Sequence, residues 1–198
     1  MRKIAVNILI FLLFGISSNA QIYTGISVNN NYVMDNVTIW GYGAGYKITA
    51  GYKINTKTKA EFNVGSNLFS IYYFSGNRYK INSYYVNYSY KIFNTQKIKP
   101  YISLGTGFFQ KKTNCSIYDP ESDIFIICLK DYTENGIGIL PTIGFEFKHP
   151  DIKNLNWDVG LSYYRIFTEH PVNLIQLKIG LLYYFDFKTG KEFDISRE

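Results

Sequence analysis

The residues of this chain that could do chemistry include charges of both signs at alternating positions. They fall on the face of extended segments that also carries glycine, and they are Lys47, Lys53, Glu61, Lys91, Glu146, Asp158, Lys178 and Asp186. Charges that share an enclosed face must pair, because an unpaired buried charge is costly. The set therefore predicts a static network of ion pairs or, as an alternative, a thin path that conducts ions.

The two cysteines of the chain, Cys115 and Cys128, form a second candidate site. Residues 120–123 lie midway between them and read as a turn, so a hairpin with residues 124–129 as its return strand would place the cysteines opposite each other. In an exported chain this predicts a structural disulfide, which contributes about 2–4 kcal/mol. The alternative is two free thiols. The pattern predicts no metal site and no cofactor, since no histidine or second cysteine pair accompanies them.

Extended segments with a two-residue period would position these side chains. Eight segments are predicted, and they span residues 22–29, 40–54, 58–69, 79–93, 98–110, 133–147, 155–167 and 173–187. Several are long enough to cross a bilayer as tilted strands, which takes about nine to eleven residues. Short connections alternate with mostly longer ones, as in barrels whose long loops lie outside the cell.

One face of each segment is apolar and aromatic, and the other is polar. Along residues 40–54 the even positions are apolar or aromatic and the odd ones are glycine, lysine or threonine. All thirteen glycines within the predicted strands lie on the polar face. An eight-stranded barrel is only wide enough for its own side chains, so we expect the glycines inside and the rings facing lipid. A soluble, lipocalin-like barrel with an apolar interior is the alternative, but its lumen would be overfilled. Pro141 predicts a bulge or local irregularity.

The ends of the chain predict that the protein is exported and that the sequence divides into a signal peptide, a barrel and a tail. Arg2 and Lys3, an apolar run and the small residues Ser18 and Ala20 are typical of a cleaved signal peptide over 1–20. The alternative, a membrane-anchoring helix, would need about 20 apolar residues. A barrel over 21–187 and a short periplasmic tail over 188–198 follow. The net charge of +6 is dispersed, which argues against nucleic acid as a partner.

These features resemble the small eight-stranded outer-membrane proteins, such as the OmpA transmembrane domain and OmpX. The resemblance covers nearly the whole mature chain and rests on architecture rather than on a sharp motif. It implies an all-β fold, an antiparallel up-and-down transmembrane barrel in the outer membrane. It also implies a monomer that is inserted by the outer-membrane assembly machinery and surrounded by outer-membrane lipids and lipopolysaccharide. Family members often end on an aromatic residue of the last strand, whereas here Phe187 is followed by the tail.

The resemblance implies a non-enzymatic surface protein whose extracellular loops mediate contact or adhesion. A narrow porin-like channel and a lipid A-modifying enzyme are the alternatives. An enzyme could draw on Ser162, Glu169 and His170 as a nucleophile, acid and base. Their spacing matches no motif, and Ser162 is predicted to face the lumen, so we expect no catalytic residue and no enzyme.

Overall fold

The fold is a closed antiparallel β-barrel. The computed structural model describes residues 21–34, 41–71, 78–93, 98–114, 116–119, 124–127 and 132–185. The strands are β1 (Gln21–Val33), β2 (Gly41–Lys53), β3 (Thr58–Ile71), β4 (Arg78–Lys91), β5 (Ile98–Asn114), β6 (Ser116–Asp119), β7 (Ile124–Ile127), β8 (Tyr132–Lys148), β9 (Leu155–Phe167) and β10 (Val172–Tyr184). Eight of them close in the order β1-β10-β9-β8-β5-β4-β3-β2, and β6 pairs with β7. The predicted eight-stranded barrel is confirmed. Among the described residues, no helix is long and apolar enough to span a membrane.

The barrel has two different ends. At the "turn end" lie the chain start of β1 and the short connections after β2, β4 and β8; at the "loop end" lie the connections after β1, β3, β5 and β9. Residues 1–20 and 186–198, which include the predicted signal peptide, tail and Asp186, lie outside the described residues.

Strand lengths differ from prediction mainly at the loop end. The predicted first strand ends at residue 29, but β1 continues for four more residues. Asn30 and Asn31 pair with β2 on one side and with β10 on the other. β5 and β8 are each 17 residues long, against 13 or 14 for the other barrel strands. Their pairing continues to Thr113 opposite Tyr132, so this pair extends furthest at the loop end.

The barrel is apolar outside, as the alternating pattern predicts. Large apolar side chains on every barrel strand are exposed; examples are Val28, Tyr46, Phe62, Val86, Leu104, Ile143, Leu161 and Ile179. The thirteen strand glycines all lie at inward positions, where several permit close approach of neighbouring strands. At Gly107 a Cβ atom would overlap the backbone oxygen of Tyr84. A closed sheet with an apolar exterior satisfies the two demands that lipid makes, since it leaves no edge and exposes no polar face.

The strand that contains Pro141 keeps its register. β8 pairs with β9 at Ile139–Arg165 and again at Thr142–Ser162 with the same offset, while Leu140 and Pro141 have no partner on β9. On the other side Pro141 stays opposite Leu104 of β5. The expected bulge is therefore wrong, and the irregularity is a short gap in one ladder, because proline has no N–H to donate.

Candidate functional site in the lumen and at the loop end

A cluster of ion pairs fills the turn-end half of the lumen. At its centre is Glu146, which is 0% exposed. Its carboxylate pairs with Lys59 at 3.4 Å and Lys91 at 3.3 Å, and accepts hydrogen bonds from Asn156 Nδ2 at 2.6 Å and Tyr184 Oη at 2.8 Å. Four donors on four strands thus converge on one carboxylate, which offsets the cost of burying it.

Two further carboxylates complete the ionic half of the lumen. Glu61 pairs with Lys59 at 2.9 Å. Asp158 pairs with Lys178 at 2.5 Å and accepts a hydrogen bond from Tyr101 Oη at 2.7 Å. The charges alternate in sign across the lumen, so each of these carboxylates has at least one amine as its neighbour.

Tyrosines join this cluster to the strands that close the barrel. Tyr23 of β1 donates to Glu61 at 2.8 Å, as Tyr184 of β10 does to Glu146. The two rings contact each other with centroids 4.8 Å apart. Since β1 and β10 are the first and last strands, their seam is tied through these hydroxyls to β3 and β8.

The structure places most of the predicted lumen charges together. Lys47, Glu61, Lys91, Glu146, Asp158 and Lys178 are all buried. Lys53 is half-buried at the turn-end rim, where it lines an open cavity of about 520 Å³. Sequence reasoning did not include Lys59 among the lumen charges. Its odd number, shared with Glu61 on the same strand, is the signal that would have placed it inside.

The loop-end half of the lumen holds a cluster of apolar side chains beside a buried polar series, in which Tyr164, Gln176, Asn31 and Asn67 are hydrogen-bonded one to the next. This "apolar plug" consists of Val33, Phe69, Ile81, Tyr85, Phe109, Leu140, Tyr164, Ile166, Val172 and Leu174. The rings of Phe109 and Tyr164 meet edge to face with centroids 6.0 Å apart, and Tyr85 donates or accepts a 3.4 Å hydrogen bond with Tyr164. The sequence predicted that every inward-facing side chain is glycine or polar. That prediction is wrong in this half of the lumen, where the ten residues of the plug also face inward.

Of the three residues considered for catalysis, Glu169 and His170 lie together at the loop-end rim, where their ligand atoms and those of Glu134 are within 4.8 Å of one another, while Ser162 is not part of this group. Ser162 lies in the lumen and shares a 2.8 Å hydrogen bond with Thr142. His170 lies at the loop-end rim, where its Nδ1 is 2.5 Å from Glu134 Oε1. The carboxylate of Glu134 also pairs with Lys111 at 3.7 Å. The imidazole and the hydroxyl therefore have separate partners, and the rim contact attaches the β9–β10 connection to β8.

The other histidine has a structural role at the turn end. His149 Nδ1 accepts hydrogen bonds from the backbone N–H groups of Asp151 and Ile152, each at 3.2 Å. Asn154 closes the same turn with a positive φ of 68°, a conformation that asparagine tolerates better than most residues. This turn is thus stabilised by its own side chains.

The predicted hairpin in the longest connection is present as β6 and β7. Their pairing runs from Asp119 opposite Ile124 to Ser116 opposite Ile127. Cys115 and Cys128 are the chain neighbours of that last pair and lie outside the described residues. Their disulfide stays a prediction.

Comparison with known proteins supports the same fold. No family model and no curated protein matches the chain. Neisserial surface protein A (NspA) matches with a TM-score of 0.64 at 18% identity, over 85% of this chain and 100% of that one. Ail of Yersinia pestis, solved with the heparin analogue sucrose octasulfate, matches with a TM-score of 0.55 at 14% identity, over 84% and 99%. A major outer membrane protein from Thermus thermophilus matches at 0.51 and 14%, over 83% and 99%. The chain therefore has the fold of the small eight-stranded outer-membrane β-barrels, and its exterior is the apolar surface with which such a barrel faces lipid.

Proposed function

We propose that this protein is a non-enzymatic outer-membrane barrel that contacts ligands or other surfaces through its loop end. The observation that carries the proposal is the filled lumen. Ion pairs occupy its turn-end half, and the apolar plug together with the hydrogen-bonded amides of Asn31, Asn67 and Gln176 occupies its loop-end half. With the interior closed and the exterior facing lipid, the loop end is the surface left to meet the outside of the cell.

The β5–β8 region is the favoured contact surface. These two strands are the longest of the barrel, and the chain between them carries the β6–β7 hairpin. Loops held on a rigid scaffold are where binding residues concentrate. In the oxidising envelope, a disulfide between Cys115 and Cys128 would reduce the number of conformations that this hairpin adopts before it binds.

The test is a binding assay on intact cells that display the protein. Residues 115–128 are replaced by a glycine-serine linker of equal length, and adherence to host cells, matrix proteins and heparin beads is measured. Heparin is included because Ail was solved with a heparin analogue. As a control, residues 94–96 at the turn end receive the same treatment. Adherence should fall only in the first variant at equal surface display. Equal adherence of wild type, both variants and cells without the protein would refute the proposal.

The channel alternative has an equally direct test. Planar-bilayer recording of the purified barrel should show no conductance steps, because an ion that passed the apolar plug would lose its hydration there. Reproducible steps that grow when Phe109 is replaced by serine would favour the channel over a closed barrel.

The partners of such a barrel follow from its surface. We infer that it sits as a monomer among outer-membrane lipids and lipopolysaccharide after insertion by the outer-membrane assembly machinery. A closed barrel has no free strand edge through which to pair with a second copy. Heat-modifiable migration in gels and recovery in the outer-membrane fraction check this inference; recovery as soluble periplasmic protein would contradict it.

A further inference from the structure

The buried charges between the turn end and the apolar plug do not balance. Four amines and three carboxylates are buried there, namely Lys47, Lys59, Lys91, Lys178, Glu61, Glu146 and Asp158. Lys59, Lys91 and Lys178 each form at least one ion pair with a carboxylate of this group. The surplus positive charge therefore belongs to Lys47.

Lys47 is buried without a carboxylate partner for its amine among the described residues. The residue is 6% exposed, and among the described residues no carboxylate oxygen lies within 4.0 Å of its Nζ. The amine lies 5.9 Å from the ring centroid of Tyr85, at the inner boundary of the apolar plug. A ring face at this distance compensates only a small part of the cost of a buried charge.

A buried donor without an acceptor lies on the neighbouring strand, in register with Tyr85. Asn63 is 0% exposed and pairs in register with Tyr85. Its Oδ1 accepts a 2.8 Å hydrogen bond from Thr49, while its buried Nδ2 has no hydrogen-bond partner. The strands that carry Lys47 and Asn63 are adjacent, and Lys47 is opposite Gly65, two residues along from Asn63. An amide donor without a hydrogen-bond partner and an amine without a carboxylate partner thus lie on neighbouring positions of adjacent strands.

We propose that Lys47 and Asn63 bind one monovalent anion of halide size in the lumen. An anion accepts from both donors and cancels the single surplus charge, whereas a water molecule would leave that charge uncompensated. A divalent phosphate or sulfate would reverse the imbalance and needs more room in a lumen that side chains already fill. The inference is independent of what the loop end binds.

The approach to this site is also cationic. The charged side chains that line the open cavity at the turn end are Lys53, Lys91, Lys99, Lys148 and Lys153 against Glu146 and Asp151. A cleft with an excess of one sign of charge concentrates counter-ions. Because the ion-pair cluster lies between this cavity and Lys47, we expect the anion to be enclosed as the barrel folds.

The experiment measures unfolding of the refolded barrel in detergent micelles at equal ionic strength in sodium chloride, bromide or gluconate. Gluconate is too large for the site. A halide concentration of twice the dissociation constant multiplies the folding equilibrium constant about threefold. Wild type should show this gain in chloride and bromide, and Lys47→Met should lose it. Lys112→Met, which removes an exposed outward-facing lysine, should keep it.

Two further measurements keep the test decisive if Lys47→Met does not fold. Asn63→Asp supplies a carboxylate beside Lys47 and should abolish the halide dependence. Crystals grown in bromide should show an anomalous peak between Lys47 Nζ and Asn63 Nδ2. A wild-type barrel that is equally stable in halide and gluconate, or a halide gain that survives in both variants, would overturn the proposal. The first result would mean that the amine is neutral or is satisfied by the Asn63 amide oxygen, and the second that the halide binds elsewhere on the barrel.

Discussion

Replacement of Glu146 by glutamine should be among the most destabilising single changes in the lumen. The glutamine keeps the shape and removes the charge, so Lys91 loses the carboxylate that pairs with it at 3.3 Å, while Lys59 keeps Glu61 at 2.9 Å. Breaking a buried pair from one side costs about 3–5 kcal/mol. One amine is left unpaired, so we expect a loss of about 3 kcal/mol in the free energy of unfolding.

The double variant Glu146→Gln with Lys91→Met tests the cause. Removing the orphaned amine together with its partner should recover about 2 kcal/mol, because an apolar side chain of similar length needs no acceptor. The assay is reversible urea unfolding in lipid vesicles, followed by fluorescence of Trp157, which is half-exposed on the lipid face. A matched control is Glu134→Gln at the rim, whose partner His170 has a 70% exposed side chain and should cost much less.

Two results would refute this reasoning. The first is a Glu146→Gln barrel whose stability is within about 0.5 kcal/mol of wild type, the range of an ordinary surface substitution. The second is a double variant no more stable than the single one. Either would mean that water already solvates these amines and that the lumen is not closed.

Three other changes have clear expected outcomes. Gly107→Ala should prevent or slow refolding, because its Cβ would overlap the Tyr84 backbone, whereas Gly160→Ala, whose nearest neighbours are at 3.1–3.4 Å, should refold; gel migration without heating distinguishes them. Ile143→Lys, on the mid-barrel lipid face, should cost about 2–4 kcal/mol in vesicles and much less in a flexible detergent micelle. Mass spectrometry after alkylation should find Cys115 and Cys128 protected until a reductant is added; labelling without reductant would exclude the disulfide.

The sequence predicts the barrel well because successive residues of a strand point to opposite faces of the sheet. Whether a position is odd or even within its strand therefore decides whether its side chain faces the lumen or the lipid. Parity placed Glu146 and Asp158 inside and Ile143 outside. It could not reveal the apolar plug, whose members lie on seven different strands and meet only once the register of every strand is set. Phe109 and Leu140, read singly, look like ordinary strand residues.

Strand ends and individual partners were the least predictable features. Asn30 and Asn31 favour turns locally, but pairing with two neighbouring strands overrides that preference. Which amine meets which carboxylate depends on distances across the lumen, as between Lys59 and Glu146, which are 87 residues apart in the chain. Local sequence carries no information about such a contact.

The tyrosine pair at the β1–β10 seam has a consequence for assembly. Until these strands meet, Tyr23 and Tyr184 cannot complete the hydrogen bonding of Glu61 and Glu146. In an open sheet water can reach these carboxylates, and closure removes that water in the same step that brings the tyrosine hydroxyls to them. Closure then becomes an all-or-none event, so barrels with the β1–β10 pairing incomplete should be sparsely populated during insertion. Most of the stabilisation that the lumen provides should be gained when these last two strands pair.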